Sequence, residues 1–321
     1  MQSPHNATQT MRVHRIEWAA EGTIIIDLRN PDGSPVTPFT AGAHIELLMP
    51  SIGITRAYSL ANDPAETHRY VLGVVLEPKS RGGSRFLHRE LRVGDTIDVQ
   101  GPHNHFPLDD TNDHSVLIAG GIGVTPILTM AHRLKAMGKS FEFHFAVRDL
   151  SRAAFLDEVK AVCGDRLHLH IDAEVGRPLN IPGIVAKAPA HSHFYCCGPL
   201  PMLHAYEEAT KDLPDDNVHL EYFKAPPPAV GGGAFEVEIA STGEVFTIPP
   251  EKTILEVLSD AGAYFGSSCA EGVCGSCECK VLKGEPDHRD SVLTARQKAT
   301  NKVMMICVSR AKSERLLIDV D

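Results

Sequence analysis

Nowhere in the 321 residues do apolar side chains run long enough to cross a bilayer, about 18 in succession, so no membrane span is expected. Basic charge is also scarce. Lys and Arg number 31 against 41 Asp and Glu, a formal net charge of -10, which leaves no basic stripe for a nucleic-acid backbone. The opening Met1-Gln2-Ser3-Pro4-His5-Asn6 is polar and lacks the apolar stretch of a secretory signal, so a cytoplasmic protein is expected. Paired Cys-x-His ligands are missing, and with them any Rieske centre on this chain. His103/His105, His168/His170 and His191/His193 stand in period-two pairs, none of them in a Cys-x-His arrangement, and read as solvated strand or loop residues.

What is present is an ordinary globular composition, 43% apolar and 22% charged, with length for two or three domains. Cysteine is unevenly spread. Five of the eight fall within residues 269–307, which suits metal ligation in a reducing compartment better than a disulfide framework.

Cys269, Cys274 and Cys277 share one loop in the spacing C-x4-C-x2-C, and Cys307 follows alone, which is the plant-type [2Fe-2S] arrangement. Wrapping a chain around an inorganic core needs small residues. Gly266, Ser267, Ser268, Gly272, Gly275 and Ser276 let the backbone turn sharply and aim N–H groups at sulfur. A zinc site or a pair of disulfides is the alternative, but zinc ribbons usually pair two short knuckles. Cys279 lies outside the pattern and reads as a packed thiol.

Upstream, β-type runs at 11–18, 23–28, 43–49, 56–60, 70–76 and 96–99, with one helical segment at 84–91, predict a small antiparallel barrel. Arg56-Ala57-Tyr58-Ser59 puts a cation and an aromatic ring on one side of a strand, which suits a flat phosphorylated ring system. Arg81-Gly82-Gly83-Ser84 opens the helical segment as an anion nest.

Residues 115–223 alternate strand-like runs (115–119, 141–147, 167–171, 193–197) with helical ones (126–137, 153–162, 202–213), the signature of a parallel sheet with crossover helices. The first run leads into Gly120-Gly121-Ile122-Gly123-Val124-Thr125-Pro126, a glycine-rich turn that is not G-x-G-x-x-G but can present backbone N–H groups to a pyrophosphate. Cys196-Cys197-Gly198-Pro199 follows another strand at the same edge. Arg148, Asp149 and Arg152 follow the second strand, a mixture in which arginine could hold a 2′-phosphate and Asp149 would repel one, and NADH is the coenzyme expected. Three prolines and three glycines within 226–233 mark a linker, followed by a hairpin at 235–239 and 245–248 and an amphipathic helix at 254–261.

Taken in order, Arg56-Ala57-Tyr58-Ser59, Arg81-Gly82-Gly83-Ser84, the Gly120 to Pro126 turn, Tyr195-Cys196-Cys197-Gly198-Pro199, Glu221-Tyr222-Phe223, the four cluster cysteines and Asp287-His288-Arg289-Asp290 resemble the phthalate dioxygenase reductase family across essentially the whole chain. The vanillate demethylase reductases look similar. The resemblance implies three domains: an antiparallel β-barrel for FMN (8–110), a Rossmann-like α/β nucleotide domain (111–225) and, after the linker 226–233, an α+β ferredoxin of β-grasp type (234–321). It implies that Arg56, Ala57, Tyr58, Ser59, Gly73, Val74 and Val75 line the flavin, with Gly82, Gly83 and Ser84 at its phosphate and Thr125 and Phe223 near its ring. Gly120, Gly121, Gly123, Pro126, Arg148, Gly198 and Pro199 would hold the nucleotide, and Thr125, Cys197 and Glu221 would stand at the hydride-transfer face. Arg85-Phe86-Leu87 departs from the small polar residues of the family at that helix.

The function implied is that of an NADH-dependent, monomeric reductase that serves a separate Rieske oxygenase, with FMN converting two-electron to one-electron transfer. A flavin-free ferredoxin carrier or a metal-stapled binding module would leave the barrel and nucleotide motifs idle. A dehydrogenase acting on its own organic substrate would need a general base that no motif supplies.

Overall fold

The computed structural model describes residues 8–78, 81–223, 232–262, 269–293 and 295–320. Most of the linker, and Gly266, Ser267 and Ser268, lie outside the described residues. The chain divides into two compact units, Met1–Phe223 and Lys224–Asp321.

The first unit begins with β1 (Gln9–Ala20), β2 (Thr23–Arg29), β3 (His44–Met49), β4 (Ile54–Ser59), β5 (Tyr70–Val75), α1 (Gly83–Arg89) and β6 (Thr96–His103). The strands pair antiparallel in the order β4-β3-β6-β1-β2-β5. A bridge between Leu60 and Leu72 joins the two outer strands, so the sheet closes as a barrel. Alternation builds its core. Met11 and Val13, Ile26 and Leu28, Ile45 and Leu47, Leu72 and Val74, and Ile97 and Val99 form one buried cluster, each large apolar side chain contributing roughly 1.5–3 kcal/mol over exposure. Leu87 of α1 joins that cluster and Phe86 packs against it. This accounts for Phe86 and Leu87 after Ser84, which face the barrel core, whereas Arg85 is exposed.

The same unit continues with β7 (His114–Gly120), α2 (Val124–Ala136), β8 (Ser140–Val147), α3 (Leu156–Cys163), β9 (Leu167–Ile171), α4 (Asp172–Val175), α5 (Ile181–Lys187), β10 (His193–Cys197), α6 (Leu200–Thr210) and β11 (Val218–Glu221). All five strands are parallel, in the order β11-β10-β7-β8-β9. The order reverses direction between β7 and β10, so a crevice opens at their carboxyl ends. The four-residue β11, too short to signal itself in the sequence, carries Glu221 to this edge. The helix expected from residue 153 starts at Leu156, because Phe155 takes a left-handed conformation at φ 61°.

Barrel and sheet share a second buried cluster. Ala20, Ile25, Ala41, Ala61, Val71 and Phe106 of the barrel segment pack with Leu117, Ala119, Ile127 and Phe155 of the nucleotide segment.

The second unit contains β12 (Phe235–Ile239), β13 (Val245–Ile248), α7 (Ile254–Asp260), β14 (Glu278–Lys283), β15 (Pro286–Asp287), α8 (Ala295–Thr300), β16 (Val303–Met305), β17 (Arg310–Ala311) and β18 (Arg315–Asp319). Its main sheet runs β13-β12-β18-β14-β16, with β12 and β18 parallel at the centre, and β15 pairs with β17 apart from it. Thr253 caps α7 reciprocally with Glu256, and Ile254, Leu255 and Leu258 on the helix join the core. Arg310 pins the unit from within: its guanidinium donates to the carbonyls of Lys252, Gly233 and Pro249 and lies 5.0 Å over the Phe235 ring.

Candidate active site and iron–sulfur centre

Two loops meet at the crevice of the parallel sheet. Cys197 of β10 stands beside Ala119 of β7, so the Gly120–Pro126 turn and Cys197-Gly198-Pro199 leave the sheet together. Their contact explains the glycines. A Cβ on Gly123 would fall 2.2 Å from the Cys197 carbonyl oxygen, and one on Gly120 2.7 Å from Met202 and Pro199. The two loops thus touch through backbone. Pro126 sits in the buried first turn of α2, where a missing N–H costs nothing.

Thr125 is buried, and its hydroxyl donates to the Ile122 carbonyl at 3.0 Å. The methyl group is what it turns toward the barrel. A Cβ on Gly73 of β5 would lie 3.0 Å from Thr125 Cγ2, 2.8 Å from Ile122 and 2.6 Å from Phe155. Phe155 is therefore a neighbour of the site that no sequence motif announced, and Ile122 is one that the glycine-rich turn carries without an assigned role. Val74, beside Gly73, points into the barrel core, and its carbonyl is within 2.9 Å of His88 Nε2. It offers no side chain to a ligand, whereas Val75 is exposed.

Ser59, at the end of β4, reaches across to the nucleotide sheet. Its hydroxyl donates to Glu221 Oε2 at 3.4 Å, and the Cys197 thiol approaches the same oxygen at 4.0 Å. Three residues from three strands converge on one carboxyl group. Burial pushes Glu221 up to about 8, with the Ser59 hydrogen bond opposing it, and burial raises the Cys197 thiol well above its ordinary value. At neutral pH the cluster holds a protonated acid and a neutral thiol.

Arg56 and Tyr58 share a face of β4 with Ala57 between them. Burial lifts the Tyr58 phenol to about 12, partly countered by Arg56. The second barrel motif comes to the same place. A Cβ on Gly83 would lie 3.1 Å from Arg56 Cγ, and Gly82 begins α1 at φ 123° with no side-chain cap. Ser84 Oγ accepts from the Glu77 N–H at 3.1 Å. The set fits FMN: one guanidinium and one uncapped helix start for a single phosphate, an aromatic ring and hydroxyl-bearing residues for the flat ring system. Phe223, at the end of the unit, is 37% exposed.

Arg148 is exposed at the carboxyl end of β8, next to Asp149. Asp149 is held by Arg152 at 3.4 Å and by the Ser151 hydroxyl.

In the second unit, Cys269, Cys274, Cys277 and Cys307 are all buried. The Glu271 and Val273 N–H groups donate to Cys269 Sγ at 3.2 and 3.5 Å, and the Cys269 N–H donates to Cys274 Sγ at 3.5 Å. Neighbouring Cys274 and Cys307, together with those N–H groups, hold the Cys269 thiol far below its ordinary value. Four convergent sulfurs ringed by backbone donors fit a [2Fe-2S] cluster. Cys279, on β14, belongs to the core, as its place outside the spacing suggested.

The Asp287–Asp290 stretch supports this loop. The Ser291 N–H donates to the Gly272 carbonyl at 2.9 Å, and Asp290 Oδ2 accepts from the Val292 and Leu293 N–H groups at 3.2 and 2.9 Å. Gly272 is itself at φ 71°, and a Cβ there would be 2.5 Å from Val308. Nothing but glycine fits.

The model of the 2Fe-2S iron-sulfur cluster binding domain family matches residues 237–312. Over 314 residues and 98% of both chains, the protein is 48% identical to the phenoxybenzoate dioxygenase subunit beta of Ectopseudomonas oleovorans. It is 38% identical to the phthalate dioxygenase reductase of Burkholderia cepacia over 92% of each. A solved phthalate dioxygenase reductase, described as modular for electron transfer from pyridine nucleotides to [2Fe-2S], superposes with a TM-score of 0.72 at 36% identity, covering 98% of both chains. An intact type IV self-sufficient cytochrome P450 monooxygenase matches at a TM-score of 0.90 and 37% identity, but this chain, 97% covered, spans only 41% of that one. With its barrel, nucleotide sheet and cysteine nest in the same order along the chain, the protein belongs to the phthalate dioxygenase reductase family of flavin and iron–sulfur oxidoreductases.

Proposed function

We propose that the chain is the NADH-dependent reductase component of a two-component system, delivering electrons singly to a separate Rieske non-haem iron oxygenase. The observation that carries this reading is the convergence of Ser59, Cys197 and Glu221 from barrel and nucleotide sheet, in a chain that also holds a four-cysteine nest. The cofactors supply the redox chemistry itself: hydride acceptance from NADH by FMN, and one-electron carriage by the [2Fe-2S] cluster.

The protein supplies position and protonation state. Arg56 and the start of α1 anchor the phosphate of FMN, and Tyr58 and Ser59 face its ring. Gly73 lets Thr125, Ile122 and Phe155 pack directly against β5, and the Thr125 methyl so held would set the approach of the second ring. Glu221 keeps its proton at neutral pH and so adds no negative charge where a hydride passes. Among the described residues 8–78 and 81–110, one phosphate corner and no separate seat for an adenine support FMN over a dinucleotide flavin.

The coenzyme is NADH, because Asp149 beside Arg148 disfavours a 2′-phosphate at the end of β8. The domain limits are 8–110, 111–225 and 234–321. The protein works as a cytoplasmic monomer. No helix among the described residues is long and apolar enough to cross a membrane.

The visible spectrum of anaerobically purified protein, before and after NADH, tests the reading. Overlapping flavin and iron–sulfur bands that bleach with NADH, with about one FMN and about two irons per chain, are expected. A colourless, zinc-loaded protein would overturn it.

A further inference from the structure

We propose that the nucleotide sheet carries a second metal site, for a divalent transition-metal ion such as Zn2+, built by Glu142, His144 and His168 away from the redox crevice. Glu142 and His144 lie on one face of β8, and His168 pairs with His144 across β8 and β9. The Nε2 of His144 is 3.4 Å from Glu142 Oε1, and that of His168 is 3.9 Å from Glu142 Oε2. One ligand atom from each of the three falls within 4.8 Å of the others.

Tetrahedral zinc with bonds of about 2.0–2.2 Å holds its ligand atoms roughly 3.3–3.6 Å apart, so small side-chain adjustments close the set. Two imidazoles and a carboxylate are a recurrent donor combination for zinc, with a fourth position left for water.

The independent observation is His144 itself. Its side chain is only 11% exposed, the residue as a whole 8%, and its Nε2, though 3.4 Å from Glu142 Oε1, is buried without completing a hydrogen bond. A buried polar atom left in that state is unfavourable, and an ion coordinated there would complete it. His144 and His168 stack at 4.7 Å between ring centroids, which brings two donors to one point. His114, the first residue of β7, shares the face and also has a buried Nε2 without a partner.

His168 is exposed on the outer strand β9 and gives the ion its way in from solvent. The cluster stands toward the amino ends of the strands, whereas Gly120, Arg148 and Cys197 end them on the opposite edge.

Holoprotein with its iron already quantified is dialysed against micromolar Zn2+ and analysed for metals. About one zinc per chain, with iron unchanged, is expected. His168→Ala, a change on an exposed outer strand, and the isosteric Glu142→Gln should each weaken zinc binding at least tenfold while flavin and iron contents stay constant. No saturable zinc in the wild-type protein, or a zinc equivalent that binds both variants as tightly, would overturn the assignment.

Discussion

Ser59 and Glu221, 162 positions apart, meet at 3.4 Å, and this contact ties the end of β4 in the barrel to the end of β11 in the nucleotide sheet. A carboxyl enclosed there stays protonated up to about pH 8, where an unfolded glutamate releases its proton near 4.5.

The sign of the resulting pH dependence follows from proton counting. Between about 4.5 and about 8 the folded chain holds a proton that the unfolded chain has lost, so stability falls as pH rises through that window and levels off above it. Glu221→Gln keeps the shape without the titration. The midpoint for thermal release of FMN fluorescence should drop from pH 5.5 to 8.5 in the wild-type protein and drop less in the variant; equal slopes would remove Glu221 from this role.

Gly123→Ala places a methyl 2.2 Å from a backbone oxygen that has no rotamer to yield. Overpacking of this kind costs about 1–3 kcal/mol, and here it strikes the loop contact that shapes the crevice. Lower thermal stability with a raised KM for NADH is the expected outcome, measured in steady-state reduction of ferricyanide.

The cysteines of the second unit divide into ligands and filling. Cys307→Ser should abolish the iron–sulfur absorbance and leave FMN bound, while Cys279→Ser, in the core beside Val281 and Met304, should retain about two irons per chain. Iron and flavin assays on the two variants separate these outcomes, and iron loss in both would mean that the ligand set is misassigned.

Two arginines of that unit should behave oppositely. Arg310→Ala strips donors from three carbonyls and a cation from the Phe235 face, a loss of roughly 2–4 kcal/mol. Arg315 pairs with Glu236 and Glu238 but is half exposed, and Arg315→Ala should cost under about 1 kcal/mol. Urea denaturation followed by cluster absorbance distinguishes the two.

The sequence by itself determined what depends on local spacing and periodicity. The iron–sulfur loop was legible because four thiolates around a small inorganic core demand fixed intervals and small neighbours. Barrel strands and crossover helices were legible because their apolar periods differ. Tertiary structure alone decided which distant residues meet. The four-residue β11 carries no period, so nothing local announced that Glu221 would reach Ser59. Phe155 and Ile122 at Gly73, and the hold of Ser291 on Gly272, likewise arise from contacts between segments far apart in the chain. His168, which read as a solvated strand residue, stacks on His144 only because parallel pairing sets β9 beside β8 in that register. Short-range pattern fixes elements and ligand loops, while the register between elements fixes which side chains share an environment and hence their protonation and chemistry.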